Sequence, residues 1–501
     1  MSATVDTLFI SGESRIPSSI ISEEIKNKFE FNEDFYRIKR YYDIYEKGID
    51  FIPDASKNDY IPSQLNYKKA ANLINKEARF MFGKTPEVKV ESKIAVDASN
   101  KETINYEITV MQNLINDVMD KNAFGDNIIK AAKDCFIGER VGLVLNFSPE
   151  TGITLTFLPA LNFVFEIDEN NFSILKSFTA FVINSFADSR DNVRIFKKKY
   201  YMNNGKCYID ETVYDGTGSV VEETQTIETL FTYIPAAIIR NDGLLGDMFG
   251  KSEVELLKDY EQLYSKIANS DVDAERQSMN PIRYTIDASE QSTKNLSISP
   301  GSYWDIQSDM TSSENKTASV GVLETAMNYS SALESTLNRT NKIMYDTLDM
   351  PDIWLESMTG VITSGKALKS IYWPLIVRCD EKMKAWAPAL RFIFRTVIEG
   401  AKLYPEAAAY HVKEAIPLND QYDIVVENLY PLQEEETEEK TMDIMEVNAQ
   451  LMSKKAYMIK WRHLTSEEAD EELKQIALER QILEDAFQMP PVVIEEEEII
   501  E

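Results

Sequence analysis

The residues whose types and spacing could do chemistry are concentrated in one segment, which reads Gly360-Val361-Ile362-Thr363-Ser364-Gly365-Lys366-Ala367. It fits the G-x-x-x-x-G-K pattern of a P-loop, whose backbone N–H groups bind nucleotide phosphates at a helix N-terminus. However, Ala367 stands where a Ser or Thr hydroxyl would bind Mg²⁺, and the residues before Gly360 do not read as a buried strand. We therefore interpret the segment as a Gly/Ser/Thr-rich loop that leads into a helix. A nucleotide-dependent enzyme that uses Gly365 and Lys366 stays the alternative.

Other catalytic or metal-binding arrangements are weaker. Asp271, Asp273 and Glu275 could suggest metal ligands, but no matching carboxylate pair is identifiable, so a polar helix face is the better interpretation. Two histidines are too few for a credible Ser/His/Asp site. The three cysteines lie far apart without a CxxC spacing, which argues against a zinc site and a disulfide scaffold. We predict no catalytic residues, no metal and no cofactor.

The composition is that of a globular, strongly acidic protein. The chain has 501 residues, 44% of them hydrophobic, and a formal net charge of −30. This charge argues against a protein that clamps nucleic acid over its whole surface, because tight binding needs Lys and Arg to replace counterions. It does not exclude a protein that nucleic acid slides past. No secretory signal and no apolar run of membrane-spanning length is visible, so we expect an intracellular protein without a membrane span.

The elements that must position these residues change type along the chain. The segment Glu23–Tyr45, charged and aromatic at mixed spacing, is interpreted as helical, and apolar periodicity predicts helices over Gln64–Phe82 and Glu102–Ala132. Alternating patterns then predict an antiparallel sheet region over Val141–Ile239, with a hairpin at Asn204-Gly205. The fold class is therefore α+β.

Two long helices follow, with a small β insert between them. Ser252 begins a helix that runs to about Arg276, and a second helix fits Val322–Leu348, so that two rods of about 40 Å could pair antiparallel. In the insert, alternating apolar residues predict two short strands, which are marginally stable alone. Neighbouring copies of the chain could complete this sheet, or the insert could pack on its own chain. The residues concerned are Ile282, Tyr284, Ile286, Trp304 and Ile306.

A further long helix is predicted from Lys366 to about Tyr404, with kinks at Pro374 and Pro388. The basic residues of this helix fit two interpretations equally well, an interface between acidic chains or contact with phosphates. They are Arg378, Lys382, Lys384, Arg391 and Arg395. The last part, Glu434–Gln488, is helical and acidic.

Four segments together resemble the portal proteins of tailed bacteriophages, specifically the SPP1-like portal family. Near the start, Arg40-Tyr41-Tyr42-Asp43 followed by Gly48 is similar to the opening of that family. Asn66 with the run Ala78–Pro86, and Asn241 before the Ser252 helix, match two further segments. The most specific match is Thr363-Ser364-Gly365-Lys366-Ala367-Leu368-Lys369, which explains the near P-loop as part of the family pattern.

The resemblance implies a portal fold with an α/β wing, a two-helix stem, a small β-rich clip, a long kinked tunnel helix and a helical crown. The wing would be residues 1–250, with N-terminal helices and an antiparallel sheet. The stem would be 251–276 and 319–349, and the clip 277–318. Residues 350–430 would hold the channel loop, the tunnel helix and a return to the wing, and 431–501 an acidic crown and tail.

The resemblance also implies a non-enzymatic function. We expect a dodecameric ring at one capsid vertex, through which double-stranded DNA is packaged and ejected without sequence specificity. Partners would be the terminase, head–tail connector or adaptor proteins, and the major capsid and scaffolding proteins, in the virion and, during assembly, in the host cytoplasm. Another structural head component stays an alternative. The clip residues named above would contact neighbouring copies or partners, and the channel loop would face DNA through Ser357, Thr359, Gly360, Thr363, Ser364, Gly365 and Lys366.

Overall fold

The computed structural model describes residues 8–10, 14–16, 20, 29–49, 62–93, 101–169, 171, 174–184, 193–245, 247–279, 282–294, 296, 304–309, 317–323, 329–352, 365–417, 420–432, 436–462, 464 and 466–487. The chain forms two compact units, one of Met1–Asp352 with Tyr372–Pro431 and the other of Ile353–Ile371 with Leu432–Glu501. All described strands belong to the first unit, which mixes helices and sheets as predicted.

The first unit begins with a small hairpin of β1 (Leu8–Ile10) and β2 (Ser14–Ile16), followed by helices α1 (Phe29–Lys47) and α2 (Lys69–Phe82). Helix α2 was predicted from Gln64, which is wrong at the N-terminal end. Lys68 takes the left-handed φ of 48°, and residues 62–68 have no regular secondary structure. The next strand is β3 (Glu87–Ser92).

The single helix predicted over Glu102–Ala132 is two helices, α3 (Lys101–Lys121) and α4 (Phe124–Gly138). The chain breaks at Ala123, whose φ is 46°. Asn122 fixes the break, because its amide donates to the Ile153 carbonyl at 3.1 Å and its Oδ1 accepts from the Leu155 N–H at 2.9 Å. The end of α3 is thereby attached to the sheet.

The predicted sheet region is two antiparallel sheets. A five-stranded sheet has the order β10-β9-β8-β7-β6, and a three-stranded sheet has the order β11-β4-β5. The predicted hairpin at Asn204-Gly205 is confirmed, with φ values of 51° and 78°. The strands are β4 (Arg140–Ser148), β5 (Gly152–Pro159), β6 (Phe163–Ile167), β7 (Leu175–Asn184), β8 (Arg194–Asn203), β9 (Lys206–Asp215), β10 (Val220–Glu228) and β11 (Ala236–Arg240).

The predicted pair of matched rods is only partly confirmed. Helix α5 (Glu253–Met279) has 27 residues, or about 40 Å, but helix α7 (Ser330–Thr347) has 18, or about 27 Å. Residues predicted as the start of the second rod form strand β13 (Ser319–Leu323) instead. Strand β12 (Ile282–Ile286) and the short helix α6 (Glu290–Thr293) precede it.

The predicted long helix is confirmed as α8 (Gly365–Leu403), 39 residues that include both prolines. It lies in the core, where Trp386 packs on Phe82 with ring centroids 4.8 Å apart and Phe394 packs on Phe124 at 5.5 Å. After α9 (Pro405–Ala408), strand β14 (Tyr422–Glu427) pairs antiparallel with β3.

A buried histidine joins the loop after α9 to the sheet. The His411 Nε2 accepts from the Ile153 N–H at 2.8 Å, so the ring proton lies on Nδ1, which donates to Asp117 at 2.7 Å. Burial lowers the pKa of His411, although Asp117 opposes this. His411 is therefore held neutral.

In the second unit, the acidic C-terminal region forms α10 (Glu436–Asn448), α11 (Lys454–Arg462) and α12 (Ser466–Phe487). Asp443 joins two of them by accepting from the Trp461 indole at 2.7 Å and pairing with Lys460 at 2.8 Å. Of the helices that the structure describes, none is long and apolar enough to cross a membrane.

Candidate functional site

The predicted insert contains a two-stranded antiparallel sheet of β12 and β13, which we call the clip ribbon. Its register pairs Tyr284 with Gly321 and Thr285 with Val320. The Tyr284 ring lies over Gly321, where a Cβ atom would be only 2.3 Å from the ring Cζ. Gly321 is therefore needed for the ring to lie flat across the strand.

Both faces of the clip ribbon carry exposed apolar side chains. Residues paired across the strands share a face, so Val320 and Val322 lie on one face and Tyr284 and Ile286 on the other. The exposed fractions are 51%, 49%, 45% and 50%, in that order. The described residues thus cover neither face of this sheet.

The partner strand of β12 differs from the predicted one. Trp304 and Ile306 were expected on the second strand, but that strand is Ser319–Leu323. The segment 304–309 instead joins the end of β12, because the Ser289 N–H donates to the Gln307 carbonyl at 2.8 Å and the Asp309 N–H donates to the Asp287 carbonyl at 3.0 Å. Trp304 lies 5.1 Å from the Arg283 guanidinium. The predicted second helix began at Val322, because Leu323 fits the helical spacing of Ala326 and Leu333, and the strand was therefore missed.

Helices α5 and α7 pack antiparallel below the clip ribbon. Tyr329, at the start of α7, interacts electrostatically with Asp271 and Glu275 near the end of α5. Lys69, the first residue of α2, contacts both helices. Its Nζ donates to Asn341 of α7 at 3.2 Å, and its backbone N–H donates to Glu261 of α5 at 3.1 Å.

Helix α5 begins as predicted at Ser252, whose Oγ accepts from the Val254 N–H at 3.1 Å. The spacing of Ser252 and Glu255 also fits a capping box, but Glu255 bonds with Lys258 and Tyr41 instead. Exposed apolar side chains lie along both helices; they are Leu256, Leu263 and Met279 of α5 and Ile343 of α7.

Polar side chains of α5 bind the segment 62–68 that precedes α2. Asp273 accepts from the Ser63 N–H at 3.0 Å, and the Asn269 Oδ1 accepts from the Leu65 N–H at 2.8 Å. About two turns nearer the start of α5, the buried Glu261 accepts from the N–H groups of Lys69 and Ala70 and so caps α2. Asp273, predicted only as part of a polar face, thus has a structural partner.

A buried cluster of four charges lies where α5 begins, and we call it the root cluster: Glu77, Glu253, Arg378 and Lys382. Lys382 donates to Glu77 at 2.5 Å and to Glu253 at 2.7 Å, and Arg378 contacts the same two carboxylates at 3.0 and 2.6 Å. The Lys382 Nζ also lies 3.6 Å from the centre of the Phe136 ring. The cluster joins α2, α5 and α8 in one charge-balanced set.

The two carboxylates of the root cluster respond differently to burial. Burial raises the pKa of Glu253, but the charges of Lys382 and Arg378 outweigh this and lower the pKa to about 2. For Glu77, burial raises the pKa and dominates the net shift. The Glu77 Oε2 has no hydrogen-bond partner among the described residues. Glu77 is therefore the carboxylate that the cluster stabilises less.

The root cluster corrects the interpretation of the basic residues on the long helix. Arg378 and Lys382 face inward and are neutralised within the chain, so neither phosphates nor a neighbouring chain explains them. Arg395 pairs with Glu399 one turn away at 3.0 Å. Lys384 and Arg391 are exposed. The sequence could not indicate the cluster, because Lys382 and Glu77 are 305 residues apart.

Most predicted channel-loop residues, namely Ser357, Thr359, Gly360, Thr363 and Ser364, lie outside the described residues. Gly365 and Lys366 form the first turn of α8. The role of all seven residues in the channel therefore stays a prediction.

Within the described ranges, no group of three or more His, Cys, Asp or Glu side chains could hold a metal ion. The three cysteines are free and buried, and burial raises the pKa of each thiol.

In chain order, the sheet of β12 and β13 lies between helices α5 and α7, and the long helix α8 follows them. The family described as "Phage portal protein, SPP1 Gp6-like" matches residues 20–483, nearly the whole chain. The chain belongs to this phage portal family. Portal proteins of this family are structural and not enzymatic, and the chain is accordingly a component of a phage particle.

A solved structure titled "Neck of empty GTA particle computed with C6 symmetry" is 9% identical, and the match covers 78% of this chain and 88% of that chain with a TM-score of 0.35. No curated protein matches the chain.

Proposed function

We propose that this portal protein assembles into a closed, dodecameric ring at one capsid vertex, through which double-stranded DNA is packaged and later ejected. The observation that carries the proposal is the clip ribbon, which has exposed apolar residues on both faces. Two strands alone are marginally stable, and apolar patches of this kind are typical of interaction sites. Identical neighbours in a ring supply the same covering surface to every copy.

The charge of the chain fits passage of DNA better than binding of DNA. About twelve copies at −30 each amount to a formal charge of about −360. An acidic wall repels phosphates and prevents the counterion release that makes nucleic-acid complexes tight. A duplex can then move through the ring without being held at one place, and its sequence is not read.

The channel loop at 355–365 would contact the moving duplex. Its hydroxyl and glycine residues offer small, neutral, adaptable contacts. The domain assignment stays that of the sequence resemblance, except that 319–323 belongs with the clip because it pairs with β12. The clip would be the docking site of the terminase and, later, of head–tail connector proteins.

A packaging assay tests the loop. The double variant Thr359→Lys and Thr363→Lys places two cations per copy against the duplex, and we expect slower packaging because each cation can bind a phosphate. The matched control is Thr359→Ser with Thr363→Ser, which keeps the hydroxyls and should package normally. Packaging by the lysine variant at the control rate would argue against a DNA-facing loop. Mg²⁺–ATP hydrolysis by the purified chain, lost in Lys366→Ala, would instead support the enzymatic alternative.

A further inference from the structure

We propose that the loop between β11 and α5 of one copy inserts Leu244 and Leu245 into an apolar cavity beside β11 of the next copy. We call this loop, residues 242–245 and 247–250, the leucine loop. The inference rests on the proposed ring, and it names a contact through which neighbouring copies join. This contact is separate from the clip ribbon.

The leucine loop exposes two adjacent apolar side chains. Leu244 is 71% exposed, and Leu245 is fully exposed. Among the described residues of the first unit, no other pair of neighbouring large apolar side chains is uncovered to this degree. Single apolar residues on a surface are ordinary, whereas apolar residues exposed together indicate a contact with a partner.

Hydrogen bonds hold the leucine loop in one conformation. At its base, the Lys251 N–H donates to the Asn241 carbonyl at 2.7 Å, and the Asn241 amide donates to the Lys251 carbonyl at 2.8 Å. Around the leucines, the Asp247 Oδ2 accepts from the Leu244 N–H at 2.7 Å, and the Asp247 N–H donates to the Leu244 carbonyl at 3.0 Å. A loop that is already ordered loses little conformational entropy when it docks.

The apolar cavity is lined by β11, the segment before it and helix α8. Its volume is about 500 Å³, and its walls include Ile234, Ile238, Pro388 and Phe392. Binding pockets typically have volumes of about 300–1,000 Å³, so the cavity is large enough to receive side chains. Leu245 is fully exposed in the same structure, so the leucine loop does not fill the cavity of its own chain.

Cations without an ion pair lie at one end of the apolar cavity. A polar cavity of about 380 Å³ shares Arg240 and Ala385 with it and includes Lys384. Among the described residues, neither Arg240 nor Lys384 forms an ion pair, although Asp242 and Glu381 also line the polar cavity. The other cations that line it belong to the root cluster and are paired there.

Arg240 is the cation with most to gain from a carboxylate. Its Nε donates to the Met248 carbonyl at 2.7 Å, and its guanidinium lies 5.8 Å from the centre of the Phe165 ring. Burial lowers the pKa of this guanidinium, and the nearby Arg140 lowers it further. A carboxylate beside Arg240 would offset that desolvation.

The leucine loop carries a carboxylate close to its leucines. Asp247 is exposed, bonds to the Leu244 N–H through one oxygen, and forms no ion pair among the described residues. With the leucines of a neighbouring copy in the apolar cavity, this carboxylate faces the cations at the end of the cavity. Because the loop and the cavity are different surfaces, the contact is head-to-tail and can close a ring.

Disulfide cross-linking tests the contact. The variant Leu245→Cys with Ala389→Cys places one thiol on the loop and one in the cavity wall, while the native cysteines are buried. After oxidation of assembled rings, we expect a denaturing-gel ladder from dimer up to the full ring size. The control Tyr106→Cys with Ala389→Cys, which moves the first thiol to an exposed position on α3, should give no ladder.

Mixed rings distinguish a contact between copies from a contact within one chain. Rings assembled from Leu245→Cys copies and Ala389→Cys copies should give dimers and nothing larger, since each copy has one new thiol. If the double variant stops at the dimer, the contact is a reciprocal two-fold one. If its disulfide forms only within one chain, the loop docks in its own cavity. Either result overturns the inference.

Charged substitutions give a second readout. Leu244→Asp with Leu245→Asp should lower the fraction of rings about tenfold at equal concentration, because charges do not enter an apolar cavity. The matched control is Val220→Asp with Val221→Asp, an adjacent exposed pair on β10, which should assemble normally. A ring fraction equal to that of the control would contradict the inference.

The wild-type particle separates the two proposals. Wild-type rings, with no cross-link in the rings of the Leu245/Ala389 pair, overturn the inference and leave the proposed function intact. Absence of wild-type rings overturns the proposed function, and the inference falls with it.

Discussion

The root cluster and the clip ribbon lie in the same unit but have opposite character. At the root, four charges from three helices are buried and matched within one chain. In the ribbon, four apolar side chains are about half exposed on two faces. The charges of the first region are paired within one chain, whereas the described residues leave both faces of the second uncovered. Under the proposed function, neighbouring copies of the chain cover the ribbon.

The largest effect should come from the ribbon. Val320→Asp with Val322→Asp should abolish ring assembly, because two valines worth about 1.5–3 kcal/mol each on burial become charges that cannot be buried cheaply. Native mass spectrometry should show only monomers, with an unchanged circular dichroism spectrum.

The control for the ribbon is Tyr106→Asp, at an apolar residue on α3 that is 60% exposed. Rings should persist in it. If the ribbon variant also formed rings, the clip ribbon would not be a contact between copies of the chain that ring assembly needs.

The next effect is at the root and concerns the free energy of unfolding. Lys382→Met should lower it by about 3–5 kcal/mol, because Glu77 and Glu253 lose a buried partner. Urea unfolding measures it best in the monomeric Val320→Asp/Val322→Asp background, where assembly adds no stability. Arg395→Gln removes only an exposed pair with Glu399 and should cost less than about 0.5 kcal/mol. Equal losses of unfolding free energy in the two variants would contradict a root cluster whose charges stabilise the folded monomer.

A smaller effect concerns the cap of α2. Glu261→Ala should cost about 1–2 kcal/mol, because two N–H groups at the start of α2 lose their acceptor. The control is Glu275→Ala on the exposed side of the same helix, with a change below about 0.5 kcal/mol. A loss as small as that of the control would show that α5 does not hold α2 in this way.

The smallest effect is pH-dependent. His411 is neutral when folded and its pKa is lowered, whereas the unfolded residue binds a proton near pH 6.5. The contribution of His411 to the free energy of unfolding is therefore constant above that pH and decreases below it, by at most about 1.4 kcal/mol per pH unit. His411→Gln should remove this slope between pH 6.5 and 5, and His463→Gln should keep it. The opposite pattern would contradict the neutral assignment.

Local signals predicted the elements that local physics decides. The turn at Asn204-Gly205, the N-cap at Ser252 and the long helix over 365–403 all follow from spacing and residue type. The break at Ala123 did not, because Asn122 stabilises it through contacts with β5, about 30 residues away in sequence.

The candidate site was predictable only in outline. Apolar alternation in 282–286 marked one strand of the ribbon, but its partner had a pattern that also fits a helix. The root cluster gave no sequence signal, since its members come from three helices far apart in the chain and each resembles a surface charge.

The size and shape of the purified wild-type particle test the central claim most directly. Native mass spectrometry with negative-stain imaging should give closed rings with a central hole, of about twelve copies each. A well-folded monomer at every concentration, with no annular particles, would contradict the account.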